Sequence, residues 1–243
     1  KVIYDSHEDA PRQILAKTWI PSKVRIIVSK FYEKYEKKVA QQLDCVVTVT
    51  DHIKQIFEKY HCKAIVLKNY PLLNDIDCRL DDYEQRECVI CYAGGVTEQR
   101  GITTLVKSIS GINVKLNIAG DLNEEYKSEL ERLPGWEKVN YLGYLDRAGI
   151  SSLYSRSRIG MVTLKDTPNH RYSLPIKMFE YMAAGIPVIA SKFPVWEAVI
   201  RKVDCGLCVD PNDEQEIARA IQYLLGNPKM AKRMGENGRK AVC

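Results

Sequence analysis

The stretch at residues 172–191 constrains the fold more than any other part of the chain, because it contains a helix start, a helix stop and a buried strand in succession. Pro175 suits the first position of a helix, where its missing N–H has no partner to lose. Gly185 can take the left-handed conformation that ends a helix, and Pro187 prevents the helix from resuming. The apolar run at 188–190 is typical of a buried parallel strand. The pattern therefore predicts a parallel α/β fold.

The start of this helix is a candidate for chemistry. The first N–H groups of a helix are unpaired and carry a partial positive charge, so a phosphate can bind there. Glu180 lies five residues beyond Pro175, about 7.5 Å along the helix axis. Its carboxylate is therefore placed to accept hydrogen bonds from the ribose of a nucleotide whose diphosphate lies at the helix start. The alternative is a solvated Glu180 paired with Lys177, three residues earlier.

Predicted strands and helices alternate along the whole chain. The β-branched and apolar runs predict strands at 1–5, 45–50, 63–67, 88–93, 114–119, 158–164 and 206–209. Helices are predicted at 11–39 with a break near Pro21, and at 123–136, 193–203, 214–226 and 228–242. Asp51 and Asp146 are the predicted N-caps of two more helices, and 165–171 is a predicted loop. This alternation is typical of α/β proteins with doubly wound parallel sheets.

An acidic, weakly patterned segment at 72–87 predicts a linker between two domains. The chain is therefore divided into a first domain at 1–71, the linker, and a second domain at 88–243. Strands and helices alternate in both parts, so each domain is expected to have a parallel sheet of its own. The two parts show no internal sequence repeat.

The formal net charge of +5 makes the chain mildly basic. This charge favours acidic ligands but falls short of a nucleic-acid signature, so no nucleic-acid partner is expected. Basic residues cluster at 34–38, where interleaved glutamates favour a solvated helix face, with an anionic membrane surface as the alternative. No stretch is apolar and long enough to span a bilayer, and no signal peptide is visible in a chain that begins at Lys1.

The eight cysteines include two pairs with the spacing of a zinc site, Cys88 with Cys91 and Cys205 with Cys208. The first pair lies on a predicted strand, where residues three apart point to opposite faces and cannot bind one metal ion together. The second pair also lies at a strand start. Buried free thiols in a reducing cytoplasm are expected instead, and no metal site is assigned.

Two further candidate sites follow strand ends. Gly94 and Gly95 lead through Arg100 into a helix, and such a turn lets the backbone approach a phosphate, although Gly-Gly marks any tight turn. Arg100 opposes the dipole of the helix that it precedes, which favours a nearby anion; the alternative is an exposed arginine. His7 follows the strand at 1–5, at the edge where open α/β sheets bind ligands, whereas a lone histidine is more often structural.

The sequence Phe-Glu-Tyr-Met-Ala-Ala-Gly-Ile-Pro-Val-Ile-Ala-Ser at 179–191 strongly resembles the retaining glycosyltransferases of family 4, which have the GT-B fold. The resemblance extends over nearly the whole chain. That family carries two glutamates separated by seven residues, followed by small residues and Gly-x-Pro-Val. Glu180 matches the second glutamate, whereas the first falls on Tyr172, a departure from the pattern.

The resemblance implies a site for a nucleotide-sugar donor. Its catalytic residues would be His7, Arg100 and Glu180, with His7 facing the donor diphosphate and the reacting sugar. Arg100 matches the second position of a basic pair that neutralises the diphosphate, but the first position falls on Gly95. The donor-binding residues that the resemblance implies are Gly94, Gly95, Gly143, Tyr144, Leu145, Tyr172, Ser173, Leu174, Pro175, Ile176 and Glu180, among which Gly143, Tyr144 and Leu145 would line the base pocket.

The implied activity is transfer of a hexose from a nucleotide sugar to a hydroxyl group with retention of the anomeric configuration, in bacterial polysaccharide or glycolipid synthesis. The implied partners are the nucleotide sugar and a glycan or lipid-linked acceptor, without a cofactor or a metal. The implied location is the cytoplasm, with peripheral contact at the inner face of the membrane as a further expectation. The alternatives are a GT-B sugar-nucleotide epimerase and a domain that only binds the nucleotide sugar.

Family members begin with further strands and helices and continue through a helix that crosses back to the N-terminal domain. The resemblance therefore implies two Rossmann-like domains of GT-B type, the first incomplete, in a fragment that lacks the start of the N-terminal domain and the crossing helix. The acceptor pocket of these enzymes is built largely from the missing part. The chain is therefore expected to bind a donor but not to transfer sugar efficiently.

Overall fold

The computed structural model describes residues 1–17, 19–73, 76 and 83–242. They form two compact units: unit 1 comprises Lys1–Tyr70 and Asp166–Leu174, and unit 2 comprises Pro71–Lys165 and the chain from Pro175 onward. Each unit has its own parallel sheet. The predicted α/β fold with parallel sheets is therefore confirmed.

Unit 1 is built on a parallel sheet in the order β1-β2-β3, whose strands are Ile3–Ser6, Cys45–Thr48 and Ala64–Val66. The helices that follow these strands or join them are α1 Ala10–Leu15, α2 Ser22–Ala40 and α3 Asp51–Lys59. The predicted break near Pro21 separates α1 from α2. The predicted cap of α3 is wrong by one residue, because Thr50 has the extended backbone of an N-cap and its hydroxyl accepts from the Ile53 N–H.

The basic cluster at 34–38 lies on α2, and Lys34, Lys37 and Lys38 are exposed, as predicted for a solvated face. The interleaved glutamates are less exposed. Glu33 forms an ion pair with Arg12 of α1 at 2.6 Å, and Glu36 is buried. Ile27 and Phe31 on the same helix are exposed. Among the residues that the structure describes, no helix combines the length and the apolar character needed to cross a membrane.

Unit 2 is built on a six-stranded parallel sheet in the order β6-β5-β4-β7-β8-β9. Its strands are β4 Val89–Ala93, β5 Lys115–Ala119, β6 Val139–Tyr141, β7 Ile159–Val162, β8 Val188–Ser191 and β9 Gly206–Val209. Strand order reverses at β4, which pairs with β5 on one side and β7 on the other. Ligands of open parallel sheets bind beyond the carboxyl ends of the strands at such a reversal. A ligand-binding site is therefore expected beyond the carboxyl end of β4.

The helices of unit 2 are α4 Ile102–Ser108, α5 Glu124–Leu130, α6 Arg147–Arg156, α8 Ile176–Ala183, α9 Pro194–Val203, α10 Glu214–Gly226 and α11 Pro228–Val242. Asp146 caps α6 as predicted, since its side chain accepts from the Gly149 N–H. The predicted helix at 123–136 is interrupted: α5 ends at Leu130, and a 3₁₀ turn follows at Pro134–Lys138 because proline cannot continue the helix.

The first turn of α8 differs from the prediction. Pro175 has an extended ψ of 124° and is the N-cap residue, so the helix begins at Ile176. The helix stops before Gly185, whose φ of 69° is the left-handed conformation that was predicted there. Ile176 is exposed, whereas Lys177 is buried together with the apolar residues that follow it.

Most of the segment between β7 and α8, Asp166–Leu174, belongs to unit 1. Pro168–Tyr172 forms a short helix, α7, capped by the side chain of Thr167, whereas a loop was predicted. A threonine followed by proline is a helix-start signal, so the sequence contained the information for α7. The Tyr172 ring stacks on His52, with centroids 4.1 Å apart and planes at 10°. Unit 1 thus includes a segment outside the predicted first domain at 1–71.

The predicted linker at 72–87 lies partly outside the described residues, which omit 74, 75 and 77–82. The last part of the segment packs into unit 2. The Tyr83 hydroxyl donates to the Arg158 carbonyl at 2.6 Å, and the Arg86 guanidinium donates to the Ser157 carbonyl at 3.0 Å. The compact part of unit 2 therefore begins before residue 88, and the division into domains stays a prediction.

A buried carboxylate stands out in unit 1. Glu36 is 7% exposed, and the Tyr4 hydroxyl donates to its Oε1 at 3.5 Å. Burial raises the pKa of Glu36 to about 7, reinforced by the charges of Asp9 and Glu33 and opposed by Arg12.

We expect Glu36→Gln to stabilise the protein at pH 8 by about 1–2 kcal/mol and to have little effect at low pH. The folded state holds a proton on Glu36 that the unfolded chain releases at lower pH, so its contribution falls as the pH rises from about 4.5 to about 7. Urea unfolding of both proteins at the two pH values measures the difference. An equal effect of the substitution at both pH values would contradict the assignment.

Candidate functional site

Glycine turns adjoin one another beyond β4, β5 and β6. Gly94, Gly120 and Gly143 have φ values of 129°, 142° and 66°. The Gly94 N–H donates to the Ala119 carbonyl at 2.9 Å, and the Gly120 N–H donates to the Gly143 carbonyl at 2.8 Å. A Cβ on Gly120 would lie 1.9 Å from the Gly94 carbonyl oxygen. Backbone therefore packs on backbone at the carboxyl edge of the sheet, where the strand order reverses.

The turn after β4 brings together three of the predicted residues. The Tyr92 hydroxyl donates to the Gly95 carbonyl at 2.8 Å and holds the turn. Gly95 is exposed, and a Cβ there would meet no atom within 4 Å. Arg100 ends the 3₁₀ turn Glu98–Arg100 that leads into α4, and its guanidinium has no ion pair with any residue in the described ranges. Gly94, Gly95 and Arg100 thus share one turn, with a cation available for an anion.

Glu180 is held by a tyrosine from α6. The buried Tyr154 hydroxyl donates to Glu180 Oε2 at 2.8 Å. Burial, with the negative charge of Glu180, raises the pKa of Tyr154, so this hydroxyl keeps its proton and donates. Tyr154 packs edge-on against Tyr181 at 4.9 Å between centroids, and the Tyr181 hydroxyl accepts from the Ala93 N–H at 3.1 Å. Glu180 Oε1 has no hydrogen bond with another described residue and is free to accept one.

Lys177 places its side-chain amine inside unit 2. The residue is 8% exposed, and its Nζ has no hydrogen-bond partner among the described residues. The Nζ lies 3.9 Å from the centroid of the Tyr92 ring and 2.7 Å from the position that a Cβ on Gly94 would occupy. Burial and the charge of Arg100 lower the pKa of Lys177, and Glu180 opposes the shift. The alternative of a solvated Glu180 paired with Lys177 is therefore wrong.

The start of α8 carries the unpaired N–H groups that were predicted, one residue later than expected. The Met178 N–H donates to the Pro175 carbonyl at 3.0 Å. The N–H groups of Ile176 and Lys177 have no acceptor in the part of the chain that is described. Partial positive charge is therefore present at the N–H groups of Ile176 and Lys177.

The predicted base-pocket residues follow β6. Gly143 is joined to the glycine turns through its carbonyl, as described above. Tyr144 is 79% exposed, and Leu145 is half-buried. Their role in binding a base stays a prediction.

The remaining predicted residues lie in unit 1. His7 is exposed at the end of β1, with its Nε2 3.1 Å from Asp5 Oδ2. Tyr172, Ser173 and Leu174 end the α7 segment, where the Ser173 hydroxyl donates to the His170 carbonyl at 3.1 Å. The structure thus groups the other predicted residues within unit 2, and the roles of these four stay predictions.

Two residues of the site had no functional prediction. Lys177 had a signal in the sequence, since it lies among apolar residues on a helix that precedes a buried strand. Tyr154 had none, because its contact with Glu180 joins residues 26 apart and depends on how α6 packs.

Six of the cysteines lie in the part of the chain that the structure describes, and none of these belongs to a metal-binding cluster. Within 1–17, 19–73, 76 and 83–242, no three His, Cys, Asp or Glu side chains are placed to hold a metal ion. Cys91 and Cys205 are buried free thiols, and burial raises the pKa of each to about 12. Cys88 differs from the prediction, because it is exposed and lies before β4.

Comparison with known proteins identifies the family. The family described as Glycosyl transferases group 1 matches residues 82–241, and the chain belongs to this family. Among curated relatives, the capsular polysaccharide biosynthesis glycosyltransferase CapM of Staphylococcus aureus is 26% identical over 76% of this chain and 47% of its own length. The chain spans between 40% and 58% of the length of the first four curated relatives that it matches.

Solved structures agree on the fold. Sucrose-phosphate synthase from Thermosynechococcus elongatus superposes with a TM-score of 0.78 at 21% identity, over 99% of this chain and 62% of the synthase. Anabaena HepE, in a complex with UDP-glucose, superposes with a TM-score of 0.72 at 16% identity, over 98% of this chain and 66% of HepE. These similarities show the parallel α/β fold of the GT-B glycosyltransferases.

Proposed function

We propose that unit 2 binds the nucleoside diphosphate of a nucleotide sugar, and that the protein transfers the sugar to a hydroxyl group with retention, as in glycosyltransferase family 4. The observation that carries this proposal is the half-buried Glu180, oriented by Tyr154, in a unit whose glycine turns lie at the strand-order reversal. Membership in the glycosyl transferase group 1 family supports it.

The proposed chemistry is electrostatic. Glu180 Oε1 accepts a hydrogen bond from a ribose hydroxyl, while Arg100 and the free N–H groups at the start of α8 bind the diphosphate. The negative charge of the diphosphate increases as the bond to the sugar breaks, so cationic groups stabilise the transition state more than the bound donor. His7 is the proposed catalytic histidine of unit 1.

The finer assignments are also proposals. Gly143, Tyr144 and Leu145 would contact the base. The acceptor is a glycan or a lipid-linked acceptor, in polysaccharide or glycolipid synthesis. The name of CapM supports polysaccharide synthesis, and the HepE complex with UDP-glucose supports a nucleotide-sugar donor. No metal or cofactor is required, and the protein works in the cytoplasm with peripheral membrane contact.

Calorimetry with UDP, GDP and ADP tests the proposed donor site. We expect one of them to bind, with unchanged affinity after addition of EDTA, because arginine and backbone N–H groups neutralise the diphosphate. A folded sample that binds none of the three would contradict the proposal, and a requirement for a divalent cation would contradict its metal independence.

Incubation with nucleotide sugars alone separates transfer from epimerisation. A transferase without acceptor leaves the sugar configuration unchanged, apart from slow hydrolysis. Formation of an epimer, detected by NMR of the sugar protons, would overturn the transferase proposal and favour a GT-B epimerase.

A further inference from the structure

The ammonium group of Lys177 is unexplained by the packing of unit 2. It is the only side-chain nitrogen that is buried without a hydrogen-bond partner among the residues that the structure describes. Burial of an ammonium group is strongly unfavourable unless an anion or a set of acceptors compensates the lost water. The face of the Tyr92 ring attracts a cation, but it is not a conventional hydrogen-bond acceptor for the three N–H groups of an ammonium.

The position of this ammonium points to the turn after β4. Its Nζ lies against Gly94, so close that any side chain at that position would collide with it. The φ of 129° favours glycine at position 94, and a larger residue there would also have to displace the Lys177 amine. The next residue, Gly95, is exposed with open space around it. The ammonium thus lies directly beneath a turn whose outer side is open.

The charges that surround Lys177 favour an anion rather than a neutral ligand. Arg100, in the 3₁₀ turn before α4, acts on it as a like charge, and only Glu180, on the same helix, opposes that effect among the groups that influence it. Tyr92 from β4 keeps its proton, because burial raises the pKa of its hydroxyl. Arg100, together with Lys177 once its amine is protonated, therefore places two positive charges at one turn. A group with several negative charges would neutralise both.

We propose that Lys177 binds the diphosphate of the nucleotide-sugar donor from beneath the Gly94 turn and acts together with Arg100. This inference rests on the proposed function and extends it. It also explains why the first position of the basic pair can be a glycine, Gly95. The second positive charge is supplied by Lys177 from α8. Because the pKa of Lys177 is lowered by burial and by Arg100, the bound diphosphate is expected to raise it again, so that binding takes up a proton.

Lys177→Met is the principal test, because methionine keeps the length and the apolar character of the lysine stem. We expect it to weaken binding of UDP, GDP or ADP, whichever binds the wild type, and of inorganic pyrophosphate by at least tenfold. Binding of the nucleoside without phosphate should be unchanged. The matched control is Lys107→Met, in the last turn of α4 and paired with Glu214 at 3.3 Å, which should bind like the wild type.

A second variant provides a rescue. Gly95→Lys in the Lys177→Met background places an ammonium above the same turn, where nothing obstructs a side chain. We expect it to recover part of the lost affinity for the diphosphate and for pyrophosphate. If Lys177 had only a structural role, the affinity would not recover, because Gly95→Lys does not restore the packing of the Lys177 side chain against Gly94.

The outcomes separate this inference from the proposed function. If the wild type binds a nucleoside diphosphate and Lys177→Met binds it equally well, the role of Lys177 is wrong and the donor site stands. If the wild type binds none of the nucleotides and no pyrophosphate, both proposals fail. Proton uptake, measured by calorimetry of the wild type in buffers of different ionisation enthalpy from about pH 6 to about pH 10, is independent of any variant. No uptake beyond that of the nucleotide itself at any pH would overturn the inference.

Discussion

Glu180→Gln is expected to weaken nucleoside diphosphate binding by roughly 10- to 150-fold without changing the fold, and calorimetry measures the loss. Tyr154 occupies Glu180 Oε2 and leaves Oε1 to accept from the ribose. Glutamine has a single acceptor oxygen, which the Tyr154 hydroxyl would take, and its NH₂ cannot accept a ribose hydroxyl proton. A hydrogen bond to a charged group contributes about 1.5–3 kcal/mol, which corresponds to that loss of affinity.

The controls for this prediction separate ribose recognition from loss of charge. A 2′,3′-dideoxy nucleoside diphosphate should bind wild type and Glu180→Gln about equally, since it lacks the hydroxyl groups. Glu214→Gln removes a carboxylate that is paired with Lys107 and should bind the normal nucleotide like the wild type. Unchanged binding of the normal nucleotide by Glu180→Gln would remove Glu180 from the donor site.

Tyr154→Phe tests whether the tyrosine positions the carboxylate. The variant keeps the ring that packs against Tyr181 and removes the hydrogen bond to Glu180. We expect a smaller loss than for Glu180→Gln, and none in the Glu180→Gln background, because the tyrosine acts through the carboxylate. Independent losses that add in the double variant would contradict this coupling.

The fold of this chain could be predicted where local signals coincide. The Gly185 stop, the Asp146 cap and the buried strand after Pro187 all lie where the sequence indicates them. The prediction was wrong where a signal allowed two readings. Pro175 suits either the first helical residue or the cap, and only the backbone ψ decides between them. The assignment of α7 to unit 1 depends on its tertiary contacts, among them contacts with α1 and the stacking of Tyr172 on His52, which no local pattern encodes.

Only the parts of the site whose residues are close together in the sequence could be predicted. Gly94, Gly95 and Arg100 lie on one turn, so their proximity follows from the chain itself. The partner of Glu180 could not be predicted, because Tyr154 comes from another helix. Helical spacing made Lys177 and Glu180 natural partners, but packing directs Lys177 toward Tyr92 and Gly94 instead. Burial and tertiary packing decide such a choice, and neither is visible in residue spacing.

Gly120→Ala is expected to have the largest effect on stability in the site, lowering the free energy of unfolding by roughly 3–5 kcal/mol. A methyl group on Gly120 would lie 1.9 Å from the Gly94 carbonyl oxygen, and the φ of 142° is unfavourable for any residue with a Cβ. The clash is with backbone, so no side-chain rotation can relieve it. Urea unfolding monitored by circular dichroism measures the loss.

The same substitution should also weaken diphosphate binding in whatever fraction remains folded, because Gly120 can move away only by displacing the Gly94 turn. Gly95→Ala is the matched control, one residue further along that turn. Gly95 is exposed, its φ lies outside the left-handed range, and a Cβ there meets no atom within 4 Å. We expect this variant to change stability by less than about 0.5 kcal/mol. If both alanine variants were equally stable, the close packing of the glycine turns would be wrong, and with it the rigid backbone cradle on which the proposed donor site depends.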